Sequence, residues 1–112
     1  MGTLATGQVV LVPFPFSDLS KTKMRPAVIL AYAGRDDWIL CQITSNPYGD
    51  SRSIEITDKH FQTGSLRVTS YARPGKLFTA NSNLIAGQTG ALKFDILEKL
   101  IDAVIALLKA GK

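Results

Sequence analysis

A chain of 112 residues is large enough to bury one core and leaves no room for a second, so residues 1–112 read as a single domain. With 46% hydrophobic and 20% charged residues the composition excludes a disordered or low-complexity chain, and a lone cysteine, Cys41, excludes a disulfide scaffold. Lys and Arg number 13 against 9 Asp and Glu, and the resulting +4 favours an anionic partner, nucleic acid first.

One Cys and one His do not make a zinc site of the usual kind, and no cofactor or metal is expected. The apolar stretches Val9 to Val12, Pro26 to Tyr32 and Leu100 to Leu108 all fall short of the roughly 20 residues that a membrane span needs. Met1 to Gly7 carries neither a secretory nor a myristoylation pattern. The expectation is a cytoplasmic protein with no membrane partner.

Along the chain, Gln8 to Phe16 is β-branched and aromatic but interrupted by Pro13 and Pro15, which suits a strand that leaves its sheet or runs along an edge. Ser17 to Lys23 is polar and reads as a mobile loop. Arg25 to Tyr32 and Trp38 to Ser45 are the next strands, joined as a hairpin through Gly34-Arg35-Asp36-Asp37. Asn46-Pro47-Tyr48-Gly49-Asp50 is dense in turn formers, Ser53 to Thr57 alternates as a short strand, and Leu66 to Ala72 and Lys76 to Ala80 are two more strands around Pro74-Gly75.

One helix is expected, from about Lys93 to Lys109. There Leu97, Leu100, Ile101, Val104, Ile105 and Leu108 recur at helical spacing, Glu98, Lys99 and Asp102 face the other way, and Gly111 marks the stop. The fold class is mainly β: about five to seven short antiparallel strands curled into a small barrel, with one C-terminal helix packed on it.

Two segments carry a resemblance. Gly7-Gln8-Val9-Val10-Leu11-Val12-Pro13-Phe14-Pro15-Phe16, a loop, and then Lys23-Met24-Arg25-Pro26-Ala27-Val28-Ile29-Leu30 resemble the opening of the PemK/MazF toxins. The later signatures follow in order: Ile43-Thr44-Ser45 at a strand end, Ser70-Tyr71-Ala72-Arg73-Pro74-Gly75-Lys76-Leu77-Phe78-Thr79, and the helix. The resemblance spans essentially the whole chain. It implies an SH3-like barrel, a homodimer, an endoribonuclease toxin that cuts single-stranded RNA without a metal, and a cognate antitoxin that silences it.

The resemblance also points to Arg25 and Thr44 as catalytic residues. Attack of a 2'-hydroxyl on the neighbouring phosphorus builds charge on the phosphoryl oxygens; a guanidinium hydrogen-bonds two of them at once, and a Thr hydroxyl donates to one. Ser45, Ser70, Tyr71 and Arg73 match RNA-contacting positions, with Tyr71 offering a ring on which a base stacks. The structural alternatives are an Arg paired at a barrel rim, hydroxyls that cap the Asn46-Pro47 turn, and a half-buried Tyr71. Some relatives place a general-base carboxylate two residues after the Arg73 position, where this chain has Gly75; Asn81 likewise stands where the family usually has a carboxylate.

The other chemically suggestive residues carry less. His60, in Asp58-Lys59-His60-Phe61, reads as a turn histidine, Cys41 as a small core residue in an apolar strand, and Asp36-Asp37 as a turn. Two rival functions share the fold: a non-catalytic SH3-like module that binds nucleic acid or protein, favoured by Gly75, and a gyrase-poisoning toxin, disfavoured by the Arg-Pro and Thr-Ser pair.

Overall fold

In the computed structural model, which describes residues 3–15 and 22–112, seven antiparallel strands form one strongly curled sheet and a single helix closes it. The strands are β1 (Gln8–Pro15), β2 (Thr22–Gly34), β3 (Asp37–Thr44), β4 (Ile54–Ile56), β5 (Phe61–Gly64), β6 (Ser70–Asn81) and β7 (Gly87–Leu92), and the helix is α1 (Phe94–Ala110). Their order across the sheet is β4-β6-β3-β2-β1-β7-β5. The expected mainly β half-barrel with a C-terminal helix is the fold observed.

The apolar runs of β1, β2 and β3 do not alternate with polar residues because both faces of these strands are buried. Val9, Val28 and Cys41 enter one core with Leu97 and Leu100 of α1. Their neighbours Val10, Ala27, Ile29 and Leu40 enter a second core on the other face with Ala80 and Ile85. Pro13 and Pro15 fall where β1 still pairs with β2 but its pairing with β7 has ended at Leu11, the one-sided setting in which a strand tolerates proline. The loop expected over Ser17–Lys23 lies in its first part outside the described residues; Thr22 and Lys23 already belong to β2.

The β2–β3 hairpin turns on Arg35 and Asp36, both left-handed at φ 56° and 63°, between the paired Gly34 and Asp37. This is the type I′ geometry that matches strand twist. Asp37 is therefore the first residue of β3 rather than part of the turn.

Three expectations are corrected. Leu66 to Thr69 is not strand: Arg67 is left-handed at φ 67° and its N–H donates to Ser65 Oγ, so β6 starts only at Ser70. The two strands expected around Pro74-Gly75 are one strand with a wide bulge. β3 advances from Cys41 to Ile43 while β6 runs from Leu77 back to Ala72, so Arg73 to Lys76 stand out of the ladder. Finally, β5 and β7 were not foreseen because Gly64, Gly87 and Gly90 argue against strands. Gly64 and Gly90 pass so closely that a Cβ on either would run into the other strand's backbone.

Helix α1 begins after Lys93, whose N–H donates to the carbonyl of His60 at 2.8 Å, and ends at Gly111, left-handed at φ 76°. It buries Ile96, Leu97, Leu100 and Val104. Ile105 and Leu108 are instead 43% and 66% exposed. At 3.6 residues per turn they align with the exposed Phe94 and with Ile101, which also packs on the core, in a second apolar stripe about a quarter of a turn from the buried one.

Candidate active site

The site is built by the register of β2 on β3. Ile29 pairs with Leu40, Val28 with Cys41 and Ala27 with Gln42, where the ladder ends, two residues from Arg25 on β2 and from Thr44 on β3. On its other side Thr44 pairs with Tyr71 of β6, which pairs in turn with Glu55 of β4. Residues facing one another across antiparallel strands project from the same face. Thr44, Tyr71 and Glu55 thus form a row across three strands, and Arg25 comes from the end of β2 to line the same cleft as Thr44.

A cleft of about 290 Å³ opens at this end of the sheet, and its lining includes Lys23, Arg25, Thr44, Ser45 and Ser70. Leu66 and Val68 from the β5–β6 loop wall one side. Lys23 and Arg25 are its charged lining residues, with no carboxylate among those described, so the cleft favours an anion. A second depression lined by Thr57, Asp58, Lys59, Arg67, Val68 and Thr69 shares Val68 with it and adds two more cations.

Each hydroxyl is already oriented. Thr44 is 4% exposed, and its Oγ1 accepts the N–H of Asn46 at 3.2 Å, which leaves the hydroxyl proton to be donated. Ser70, 3% exposed, donates to the carbonyl of Val68 at 3.1 Å and so holds the wall loop, while its lone pairs remain as acceptors. Ser45 is exposed and Arg25 half-buried.

Of the six residues singled out from the sequence, four line this cleft: Arg25, Thr44, Ser45 and Ser70. Tyr71 and Arg73 are not among its lining residues. Tyr71 is half-buried beside Thr44 on β6, and Arg73 is turned to the loop between β3 and β4, where its Nε donates to Asp50 Oδ2 at 3.0 Å and its guanidinium lies 5.6 Å from the Tyr48 ring centroid. The N–H of Arg52 and the Nε–H of Arg73 together hold the Asp50 carboxyl below its usual range.

Three residues the sequence reading passed over belong to this region: Lys23, Asp50 and Glu55. Lys23 was legible, since it precedes Arg25 by two and shares its strand face. Asp50 and Glu55 were not, because their neighbours are up to 23 residues away in the chain.

His60 stands elsewhere. Its Nδ1 accepts the N–H of Thr57 at 3.0 Å and closes a short 3₁₀ turn over Asp58–His60. Cys41 is fully buried, its Sγ–H donates to the carbonyl of Arg73 at 3.1 Å, and burial pushes the thiol up to about 12. No group of three or more His, Cys, Asp or Glu gathers among the described residues in a way that would hold a metal ion. None of the described helices is long and apolar enough to cross a membrane.

Residues 5–108 match the family described as PemK-like, MazF-like toxin of type II toxin-antitoxin system. The chain belongs to this family. Comparison with curated proteins returns no match. Among solved structures, MazE–MazF from Deinococcus radiodurans superposes with a TM-score of 0.76 at 16% identity, covering 97% of this chain and 98% of that one. A mycobacterial endoribonuclease in complex with its cognate antitoxin gives 0.71 at 15% identity, covering 97% and 96%. The Mycobacterium tuberculosis toxin MazF-mt6 gives 0.69 at 17% identity, covering 91% and 96%. At such identities the likeness is one of fold, and it spans the whole PemK/MazF-like domain.

Proposed function

We propose that this PemK/MazF toxin is an endoribonuclease that cuts single-stranded RNA by attack of a 2'-hydroxyl on the adjacent phosphorus. The observation that carries the reading is the joint placement of Arg25 and Thr44 in one cationic cleft with no lining carboxylate among the described residues. The Arg25 guanidinium hydrogen-bonds the phosphoryl oxygens as they gain charge, and the Thr44 proton, aimed by the Asn46 N–H at the lone pairs, is donated to one of them. Lys23 adds a positive charge at the same phosphate. Ser45, Ser70 and Tyr71 contact the flanking nucleotides, and Lys59 and Arg67 continue the cationic track past Val68. Arg73 contributes to RNA affinity from the β6 bulge beside the β3–β4 loop.

Bond making and breaking balance without a redox or metal step. The 2'-oxygen bonds to phosphorus as its proton passes to water, the P–O5' bond breaks and the 5'-oxygen takes a proton from water, and a 2',3'-cyclic phosphate and a 5'-hydroxyl remain. The donors that line the cleft are guanidinium, ammonium and hydroxyl groups, a set suited to an oxyanion rather than to a divalent cation. Among the described residues the nearest carboxylate by register, Glu55, stands two strands from Thr44. Charge stabilisation therefore carries more of the rate than general-base help, which is worth about 10²–10⁴ where present.

The same reading makes the protein a cytoplasmic homodimer, with exposed Phe94, Ile105 and Leu108 as apolar surface for a second copy, and makes a cognate antitoxin its inhibitor. A labelled single-stranded RNA incubated in excess EDTA should be cut to cyclic-phosphate and 5'-hydroxyl ends. RNA that is bound but left intact would favour a non-catalytic binding module; activity lost with EDTA and restored by Mg²⁺ would overturn the metal-free chemistry.

A further inference from the structure

The loop between β3 and β4 begins at the proposed catalytic hydroxyl and ends as strand on the far side of β6. From Thr44 its contacts run in sequence. Asn46 N–H donates to Thr44 Oγ1 at 3.2 Å, Tyr48 N–H to Asn46 Oδ1 at 2.9 Å, and Asp50 N–H to the Pro47 carbonyl at 2.9 Å. Asp50 then gathers the rest: its Oδ1 accepts Arg52 N–H at 2.9 Å, its carbonyl accepts Ser53 N–H at 3.1 Å, and its Oδ2 accepts Arg73 Nε–H at 3.0 Å.

Tyr48 is left-handed at φ 53°, a conformation that costs a non-glycine residue about 1–2 kcal/mol and persists where surrounding contacts impose it. Here the Arg73 guanidinium over its ring and the Asp50–Pro47 turn bond do so. Arg73 is in turn fixed at its backbone. It opens the bulge in β6, and the carbonyl that the ladder leaves free accepts the Cys41 thiol at 3.1 Å. A rigid anchor in the sheet is thus connected, through one carboxylate, to the N–H that orients Thr44.

We propose that Asp50 is a positioning residue for the Thr44 hydroxyl: by clamping the 45–53 loop to Arg73 it holds the Asn46 N–H on Thr44 Oγ1. The role rests on the cleavage reading for its effect on rate, but the clamp is a property of the free protein and is measured without RNA. A displaced donor of this kind matters because errors of about 1 Å in a catalytic group cost on the order of 10² in rate.

The experiment compares wild type, Asp50→Ala, Asp50→Asn and Arg73→Lys, with a second set of the same four proteins made in a Thr44→Ala background. Amide hydrogen exchange is read at Asn46, with Val28 and Leu40 as core controls. Asp50→Ala should speed exchange at Asn46 about tenfold and leave the controls unchanged, and Arg73→Lys, which keeps the charge but lacks Nε, should do likewise. Asp50→Asn keeps one acceptor oxygen but turns an amide NH2 toward the other N–H donor, so it should keep the bond to Arg52 or to Arg73 but not both and restore only part of the protection. In single-turnover cleavage at saturating RNA, Asp50→Ala should slow the step about tenfold, and in the Thr44→Ala background the same change should shift the rate less than about twofold. Unchanged exchange at Asn46, or an equal rate loss with and without the Thr44 hydroxyl, would overturn the clamp. A wild-type protein that leaves RNA intact overturns the cleavage reading instead, and the exchange data still decide the role of Asp50.

Discussion

The N–H of Asn46 donates to Thr44 Oγ1, so one lone pair of a nearly buried threonine hydroxyl is occupied and its proton is left to be donated. A donor oriented before substrate arrives needs no reorganisation at the moment of reaction. Thr44→Ser should keep most of the cleavage rate, whereas the near-isosteric Thr44→Val should lower it about 10²–10³-fold with little change in RNA affinity. Single-turnover rates with separately measured Kd values check this, and a fully active Thr44→Val would remove Thr44 from the mechanism.

Arg25 and Lys23 share a strand face and a cleft, but only the guanidinium presents a planar fork to two phosphoryl oxygens. Arg25→Ala should abolish nearly all cleavage while retaining much of the affinity, and Arg25→Lys should recover little. Lys23→Ala should weaken binding and flatten its salt dependence by about one phosphate contact. Titrations over a range of ionic strength, alongside cleavage assays, separate the two.

His60 closes a turn through Nδ1 and lies outside the cleft lining. Its replacement by alanine should leave cleavage close to wild type and lower stability by about 0.5–2 kcal/mol, the range for a lost cap. Urea unfolding and the RNA assay together test this; a dead but fully folded His60→Ala protein would place the proton acceptor here after all.

The buried Cys41 thiol, pushed up to about 12 from an ordinary 9.0, makes stability depend on pH at the alkaline end. Between these values the folded chain keeps a proton that the unfolded chain releases. The stabilisation relative to the thiolate is therefore constant below about 9 and declines as pH rises toward 12. Unfolding free energies measured from pH 7 to 11 should fall more steeply for wild type than for Cys41→Ala, and alkylation of the native protein should be slow until it unfolds.

The second apolar stripe of α1 leaves Leu108 66% exposed. Light scattering at micromolar concentration should report a dimer, and Leu108→Glu with Ile105→Glu should yield a folded monomer. A wild-type monomer at that concentration would count against the homodimer.

The helix, the hairpin at Arg35-Asp36 and the strands around Arg25 and Thr44 were all legible in the sequence, because each is set by contacts a few residues long: a helical repeat, a two-residue turn, runs of β-branched side chains. The two proposed catalytic residues were singled out by the resemblance of the whole chain to the PemK/MazF toxins, since neither local motif is distinctive alone. What only the tertiary structure decided depends on pairings between distant segments. The glycine-rich β5 and β7 became strands because Gly64 and Gly90 permit an approach no other residue allows. The helix stripe at Ile105 and Leu108 stayed in solvent because the sheet covers another face of α1. Arg73 turned to Asp50 instead of lining the cleft because a bulge, set by the register of β6 on β3, re-aims that stretch of chain. Short-range patterning specifies which elements form; register and close approach, which only the assembled sheet defines, specify which side chains meet.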